Sequence, residues 1–197
     1  VHDFESPLLH KLTWPKVSWA PVLFDLDNDT DLDLFFANGH LNSVSGDNRQ
    51  SNLLFENDGG GQFTDISERS GVLSTGNRIH RSAIFADYDD DGRVDVFVTV
   101  NGQQVEDGQG NNIFDPNQGK GILFHNETES DNNWIKVRLE GTISNRDGFG
   151  ATVSIKAGSI KHKQALVSGQ GYFSAHAKEI YFGLGPVKSI DKIEVSW

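Results

Sequence analysis

Residues 85–100 read FADYDDDGRVDVFVTV: an apolar run enters a row of acids and leaves into a second apolar run. Asp87, Asp89, Asp91 and Asp95 occupy positions 1, 3, 5 and 9 of a loop whose sixth residue is Gly92. Carboxylates therefore recur on one side of the loop, while the glycine lets the chain reverse. Ca²⁺ takes about six to eight oxygen ligands at roughly 2.3–2.6 Å, and a short loop of alternating Asp residues can fold its side chains inward around such an ion. An EF-hand would place a bidentate acid at position 12, but that position is Val98, within a strand pattern. The loop is instead expected to close at Asp95, with the carbonyl of Arg93 as the ligand from position 7, between strands rich in Val and Phe.

The design occurs earlier too. In VLFDLDNDTDLDLFFANG (residues 22–39), Asp25, Asp27, Asp29 and Asp33 repeat the spacing and Asp31 takes the seventh place; the offset is 87 − 25 = 62 residues. Two copies with the same spacing and flanks predict two calcium sites. The sixth position of such a loop calls for φ > 0, where Gly92 is relaxed and the β-branched Thr30 is strained by about 1 kcal/mol or more. The site at Asp87–Asp95 is therefore expected to bind more tightly than the one at Asp25–Asp33.

Working outward from the loops, apolar residues at 36%, charged residues at 23% and 21 glycines in 197 residues fit a turn-rich all-β protein large enough to bury a real core. Residues 19–24, 32–37, 52–56 and about 62–66 read as four strands in meander order, and 82–87, 94–100 and 121–126 repeat the series without a clear fourth. ILFHN (122–126) echoes LLFEN (53–57). A period near 60 residues with about four short strands per unit predicts propeller-type blades. Residues 1–18 are expected to be the tail of a preceding unit. The chain begins at Val1 and contains no Met, which reads as a processed or excerpted sequence. From residue 132 the Asp loops stop and NNWIKVRLEG alternates, with Ile135, Val137 and Leu139 on one face of a half-buried strand. About six strands are expected in this second, sandwich-like domain, 132–197, following blades over 19–131.

These stretches carry a resemblance. FDLDNDTDLDLFFANGH, NLLFENDGGGQFTDIS and FADYDDDGRVDVFV resemble FG-GAP/VCBS-type repeats, the integrin-like blades whose calcium loop joins the first two strands of a sheet; Thr30 departs from the glycine of that pattern. WIKVRLEG, SNRDGFGA, SGQGYFS, FGLG and IEVSW resemble the UnbV/ASPIC module that follows such repeats in extracellular proteins similar to cartilage acidic proteins. The resemblance implies a partial β-propeller followed by a β-sandwich-like domain.

The net charge of −11 is concentrated, because ten of the 28 acids lie in the two loops. Such a surface repels nucleic acid and anionic membranes, and no apolar run of about 18 residues is present to span a bilayer. Without cysteine there is neither disulfide nor thiol catalysis. The D-x-D at the end of VLFDLDND could present a phosphoryl-transfer nucleophile, but its repetition at Asp87 makes no sense for a single nucleophile. His40, His80, His125, His162 and His176 show no i, i+4 spacing for catalytic zinc, and no nucleophile elbow, P-loop or dinucleotide-binding pattern occurs. Asn145, Arg146, Asp147, Gly148 and Gly150 read either as a self-capping turn or as an anion or sugar site. Trp14, Trp19, Trp134, Tyr172 and Phe173 read as core aromatics or as sugar-stacking ones. Asn126 is the more plausible of two N-x-T sequons, since Asn28 lies within a calcium loop.

The expected function is that of a non-enzymatic, calcium-stabilised binding or scaffold protein, secreted, periplasmic or at the cell surface. It is expected to recognise a protein or glycan, with further blades or another chain covering its open sheet faces. The alternative is an accessory module of a larger secreted polysaccharide-degrading or redox enzyme.

Overall fold

The computed structural model describes residues 7–41, 48–102, 104–106, 108–109, 112–114 and 119–197. Apart from a short helix, α1 (Pro7–Thr13), and a 3-10 turn at Val72–Thr75, the fold is all-β. Residues 1–6 of the expected tail lie outside the described residues, and its middle forms α1, capped where Thr13 Oγ1 donates to Leu9 O (2.7 Å). Seven residues are too few for helical periodicity to show in a sequence.

Strands β1 (Ser18–Phe24), β2 (Asp33–Asn38), β3 (Leu53–Asn57) and β4 (Phe63–Asp65) form one antiparallel meander. Next come β5 (Ile79–Ala86), β6 (Asp95–Asn101), the hairpin β7 (Gln104–Glu106) and β8 (Asn112–Phe114), and β9 (Ile122–Phe124). The second sheet runs β5-β6-β9, so the repeat is three-stranded where the first is four-stranded, as the sequence indicates. Alternation decides which faces meet. Ala20, Val22 and Phe24 on β1, Phe35 on β2, Ala83 and Phe85 on β5, and Val96 and Val98 on β6 share one core. Phe85 binds the two sheets together, with its ring 4.7 Å from that of Phe24 and 6.0 Å from that of Phe35.

Register then places the acidic loops. Phe24 pairs with Asp33, and Ala86 with Asp95, so each loop leaves one strand of a hairpin and returns on the other at the same level.

The C-terminal part contains five strands rather than about six: β10 (Asn133–Arg138), β11 (Thr152–Ala157), β12 (Ile160–Ala165), β13 (Glu179–Gly185) and β14 (Lys192–Ser196). The segment GYFS (residues 171–174) is a tight turn in which Gln170 N donates to Ser174 O (3.2 Å) and Ser174 Oγ to Gln170 O (2.6 Å). Sheets β10-β13 and β12-β11-β14 share a second core of Val153, Ile155, Leu166, Ile180, Phe182 and Leu184. Ile135, Val137 and Leu139 pack against it, as their alternation predicts. No described helix is long and apolar enough to cross a membrane.

Candidate metal centre

Loop 1, residues 25–33, is folded by its own carboxylates. Asp25 accepts the amides of Asp29 (3.1 Å) and Thr30 (3.1 Å), Asp27 that of Asp29 (3.1 Å), and Asp29 that of Asp31 (3.0 Å). Thr30 stands at φ 90 and Asn28 at φ 63. Oxygens of Asp25, Asp27 and Asp29 all lie within 4.8 Å of one another, and Asp31 Oδ1 is buried without a hydrogen-bond donor. Asp33 also accepts backbone amides. Its Oδ2 accepts Leu26 N (2.8 Å) and its Oδ1 accepts Asn57 N (2.9 Å), which staples the loop to the end of β3.

Gathering these acids pushes their pKa values upward. Burial raises Asp25 to about 7, a rise opposed by the Thr30 amide and reinforced by Asp29, Asp33 and Asp27. Burial also raises Asp33 to about 7 against its two amide donors, and raises Asp31 to about 6 with Asp29 and Asp27 adding repulsion. None of the five acids is ion-paired among the described residues. A cluster of hard oxygens, one of them lacking a donor, and charge that the protein leaves unbalanced fit a divalent cation.

Loop 2, residues 87–95, has the same backbone. Asp87 accepts the amides of Asp91 (3.0 Å) and Gly92 (3.1 Å), and Asp91 that of Arg93 (2.9 Å). Asp95 accepts Tyr88 N (3.0 Å) and Asn126 N (2.8 Å), as Asp33 does its counterparts. Gly92 lies at φ 89 and Asp90 at φ 63, matching Thr30 and Asn28. The sixth-position expectation therefore holds for both loops, and Thr30 carries the strain. Oxygens of Asp87, Asp89 and Asp95 come within 4.8 Å of one another, and a second group joins Asp89 and Asp91 to His125.

Here, however, cations of the protein already sit on the acids. Lys136 Nζ lies 3.0 Å from Asp87 Oδ2 and also pairs with Asp90. Arg93 pairs with Asp91, and His125 Nε2 is 3.0 Å from Asp89 Oδ2. The contact with Asp90 and, against burial, that with Asp87 raise the Lys136 pKa above its ordinary value. Burial acts to lower the pKa of His125, but the hydrogen bond and charge of Asp89 prevail and raise it.

Both loops fall within a stretch that has known relatives. Residues 25–98, from the first acid of loop 1 through loop 2 into β6, match the family of FG-GAP-like repeats, and residues 141–197 match the ASPIC and UnbV family. The two matches follow one another along the chain, the FG-GAP-like stretch first and the ASPIC and UnbV stretch after it. It is 26% identical over 198 residues to cartilage acidic protein 1 of Homo sapiens, and 26% identical to that of Mus musculus. Those alignments cover 99% of this chain and 26% and 27% of the relatives, so the chain spans about a quarter of their length.

The C-terminal module, β10 together with the stretch that matches the ASPIC and UnbV family, is docked on both acidic loops. On loop 1 the approach is made by glycines: a Cβ on Gly183 would stand 2.0 Å from Asp25 Oδ2, and Gly185 N donates to Asn28 O (2.9 Å). On loop 2 it is made by large side chains. The Trp134 indole lies where a Cβ on Gly92 would be, at 1.8 Å, and Asp87 N donates to the Tyr181 hydroxyl (3.4 Å). The loops also hold each other, through Asn28 Nδ2 donating to Gly92 O (3.1 Å) and Asn126 Nδ2 to Leu26 O (2.8 Å).

Those last contacts correct the sequon reading. Asn126 is 8% exposed and its amide is engaged in the fold, so it is not presented as a glycan acceptor. Arg93, expected to act through its carbonyl, places its guanidinium on Asp91 and on Asn126 O (2.7 Å). The 145–150 cluster forms a turn, with Asp147 N donating to Asn145 Oδ1 (3.0 Å), while Arg146 pairs with Glu140 (3.3 Å) and Asp147 with Lys178 (2.9 Å). Of the aromatics, Trp134 packs on loop 2, whereas Trp19, Tyr172 and Phe173 form a chain of ring contacts at 4.8 and 4.7 Å that ends in the 91% exposed Phe173. Sequence reasoning missed Lys136, His125, Gly183 and the paired asparagines Asn57 and Asn126. Of these, only the asparagines left a signal, as the shared last residue of LLFEN and ILFHN.

Proposed function

We propose that the chain is a non-enzymatic, calcium-stabilised extracellular recognition module in which the ion is structural. The observation that carries this reading is loop 1: five acids, oxygens of three of them mutually close, one buried oxygen without a donor, and no protein cation in contact among the described residues. Asp25, Asp27, Asp29 and Asp31 would hold calcium there, with Asp33 bracing the loop. A bound ion neutralises carboxylates that otherwise repel one another and stiffens the platform on which β13 rests. Loop 2, with Asp87, Asp89, Asp91 and Asp95, is the second candidate site. An extracellular setting, where calcium is near millimolar, suits loops of this kind, and the relatives are named for cartilage.

Recognition of a protein or glycan is assigned to the aromatic surface ending in Phe173. That residue sits at φ 48, a region costly for a bulky side chain, while its ring projects into water. Melting the chain in millimolar calcium and in excess EDTA tests the structural role: calcium should raise the midpoint, and superimposable curves would remove it. Screening glycan and extracellular-protein arrays with wild type and Phe173→Ala tests the surface. Binding that Phe173→Ala leaves intact would place recognition elsewhere.

A further inference from the structure

The two loops share backbone, spacing and staple, yet the C-terminal module meets them with opposite chemistry. At loop 1 it offers Gly183, which has no side chain to place beside Asp25. At loop 2 it offers Lys136. This residue pairs with Tyr181 across the β10-β13 ladder, and its ammonium lies 5.9 Å from the centroid of the Tyr181 ring. It reaches Asp87, the first residue of the loop, whose side chain is wholly buried, and bridges to Asp90. Arg93 on Asp91 and His125 on Asp89 add further positive or proton-donating groups at two more of the loop's carboxylates.

We propose that Lys136 is a tethered cation that sets the loading of loop 2: when the C-terminal module is docked, its ammonium holds the carboxylate a calcium ion needs, and calcium enters only by displacing it. The proposal rests on the calcium reading of these loops. An ammonium and a divalent ion on one buried carboxylate repel each other at short range in a medium that screens poorly, so the two occupants exclude one another. Linkage then makes the effect mutual: docking of β10 weakens calcium at loop 2, and calcium at loop 2 loosens β10. Loop 1, approached by Gly183, by Gly185 N and by the Asn132 carboxamide on Asp27 O (3.1 Å) but by no cation among the described residues, loads without this opposition. The chain therefore takes up one calcium tightly and a second weakly, and the second acts on the contact between the modules.

The test is a calorimetric titration of the whole chain with calcium chloride, beside a terbium titration excited through tryptophan. Trp134 lies against Gly92 and pairs with Gly183, which abuts Asp25, so sensitised terbium emission reports both loops, and Asp25→Asn isolates the loop 2 component. Wild type should show one tight and one weak calcium, with the terbium emission that Asp25→Asn retains rising only at the weak step. Lys136→Gln and Lys136→Met, the latter keeping the apolar stem against Tyr181, should tighten the weak step by about tenfold and leave the tight one unchanged. Lys136→Arg should stay weak. Hydrogen exchange of the residue 133–138 amides in the wild type gives a readout that needs no variant: it should accelerate across the second step. Two equally tight sites unchanged by Lys136→Gln, or exchange that slows across the second step, overturn the role of Lys136 and leave the calcium reading standing. Absence of any saturable calcium binding overturns both.

Discussion

Loop 1 and loop 2 are the same piece of backbone in two electrostatic settings. Each runs from a first Asp that collects amides four and five residues on to a ninth Asp that staples the loop to a downstream Asn. They differ at the seventh position, which is acidic Asp31 in one and basic Arg93 in the other, and in the residue above the loop, Glu56 in one and His125 in the other. They differ again in what the C-terminal module brings, glycine or lysine. Backbone favours loop 2, through Gly92 against Thr30; charge favours loop 1, where no cation among the described residues balances the acids. A strain of about 1 kcal/mol is set against the ammonium on Asp87, Arg93 in the place of Asp31 and His125 on Asp89 together, so charge should decide.

The largest expected effect is loss of the ion from loop 1. With calcium at about one hundred times its dissociation constant, bound ion stabilises by about 2.7 kcal/mol, which for a domain of this size is about 5–10 °C of melting temperature. Asp25→Asn should forfeit most of that difference between calcium and EDTA, as read by calorimetry, whereas Asp87→Asn should forfeit little. Equal losses from both would dissolve the distinction between the loops.

Next is the close approach at Gly183. Gly183→Ala forces a methyl against Asp25 Oδ2 and the Asn28 backbone, at 2.0 and 2.8 Å, and overpacking of this kind costs about 1–3 kcal/mol. Denaturant unfolding should show the loss, and calcium affinity should fall with it because Asp25 must move. A neutral Gly183→Ala would mean that the module does not rest on loop 1.

pH separates the acids of loop 1 from the buried histidine by sign. Asp25 and Asp33 have folded pKa values raised from about 4 to about 7, so in the ion-free protein their contribution is present at low pH and is lost as pH rises through that window. Buried His80, lowered to about 4 chiefly by desolvation, acts in the opposite sense: its contribution is present above about 6.5 and is lost as pH falls toward 4. Subtracting the stability curve of Asp25→Asn from that of the wild type in EDTA isolates the first effect, and the difference should move against the wild type as pH rises from 4 to 7. Calcium affinity of loop 1 should weaken below pH 7 as protons compete. A flat difference curve would show that Asp25 titrates normally.

Smallest is the backbone itself. Thr30→Gly relaxes a residue at φ 90 and should tighten loop 1 by about 1 kcal/mol, or roughly fivefold, in a calcium titration. An unchanged affinity would mean that the strain is not relieved on binding.

What could be read from sequence followed from local chemistry. The spacing of Asp, the glycine or threonine at the sixth place and the alternation of Val and Phe each act within a few residues, so loops, strands and the change of character after residue 131 were legible. The docking was not. Lys136 meets Asp87 across 49 positions, and Gly183 meets Asp25 from the other end of the chain; neither a lysine in an alternating strand nor a glycine in FGLG announces what it will touch. The stretch after β12 turns for a local reason, since Gly171 at φ 74 and Phe173 at φ 48 bend the chain.

The most direct test is a crystal structure of the chain grown in calcium chloride, with an anomalous difference map collected at long wavelength. A strong peak among Asp25, Asp27, Asp29 and Asp31, with Lys136 still on Asp87 and at most a weak peak in loop 2, is the predicted result. A strong peak in loop 2 with loop 1 bare, or no peak in either, would contradict it.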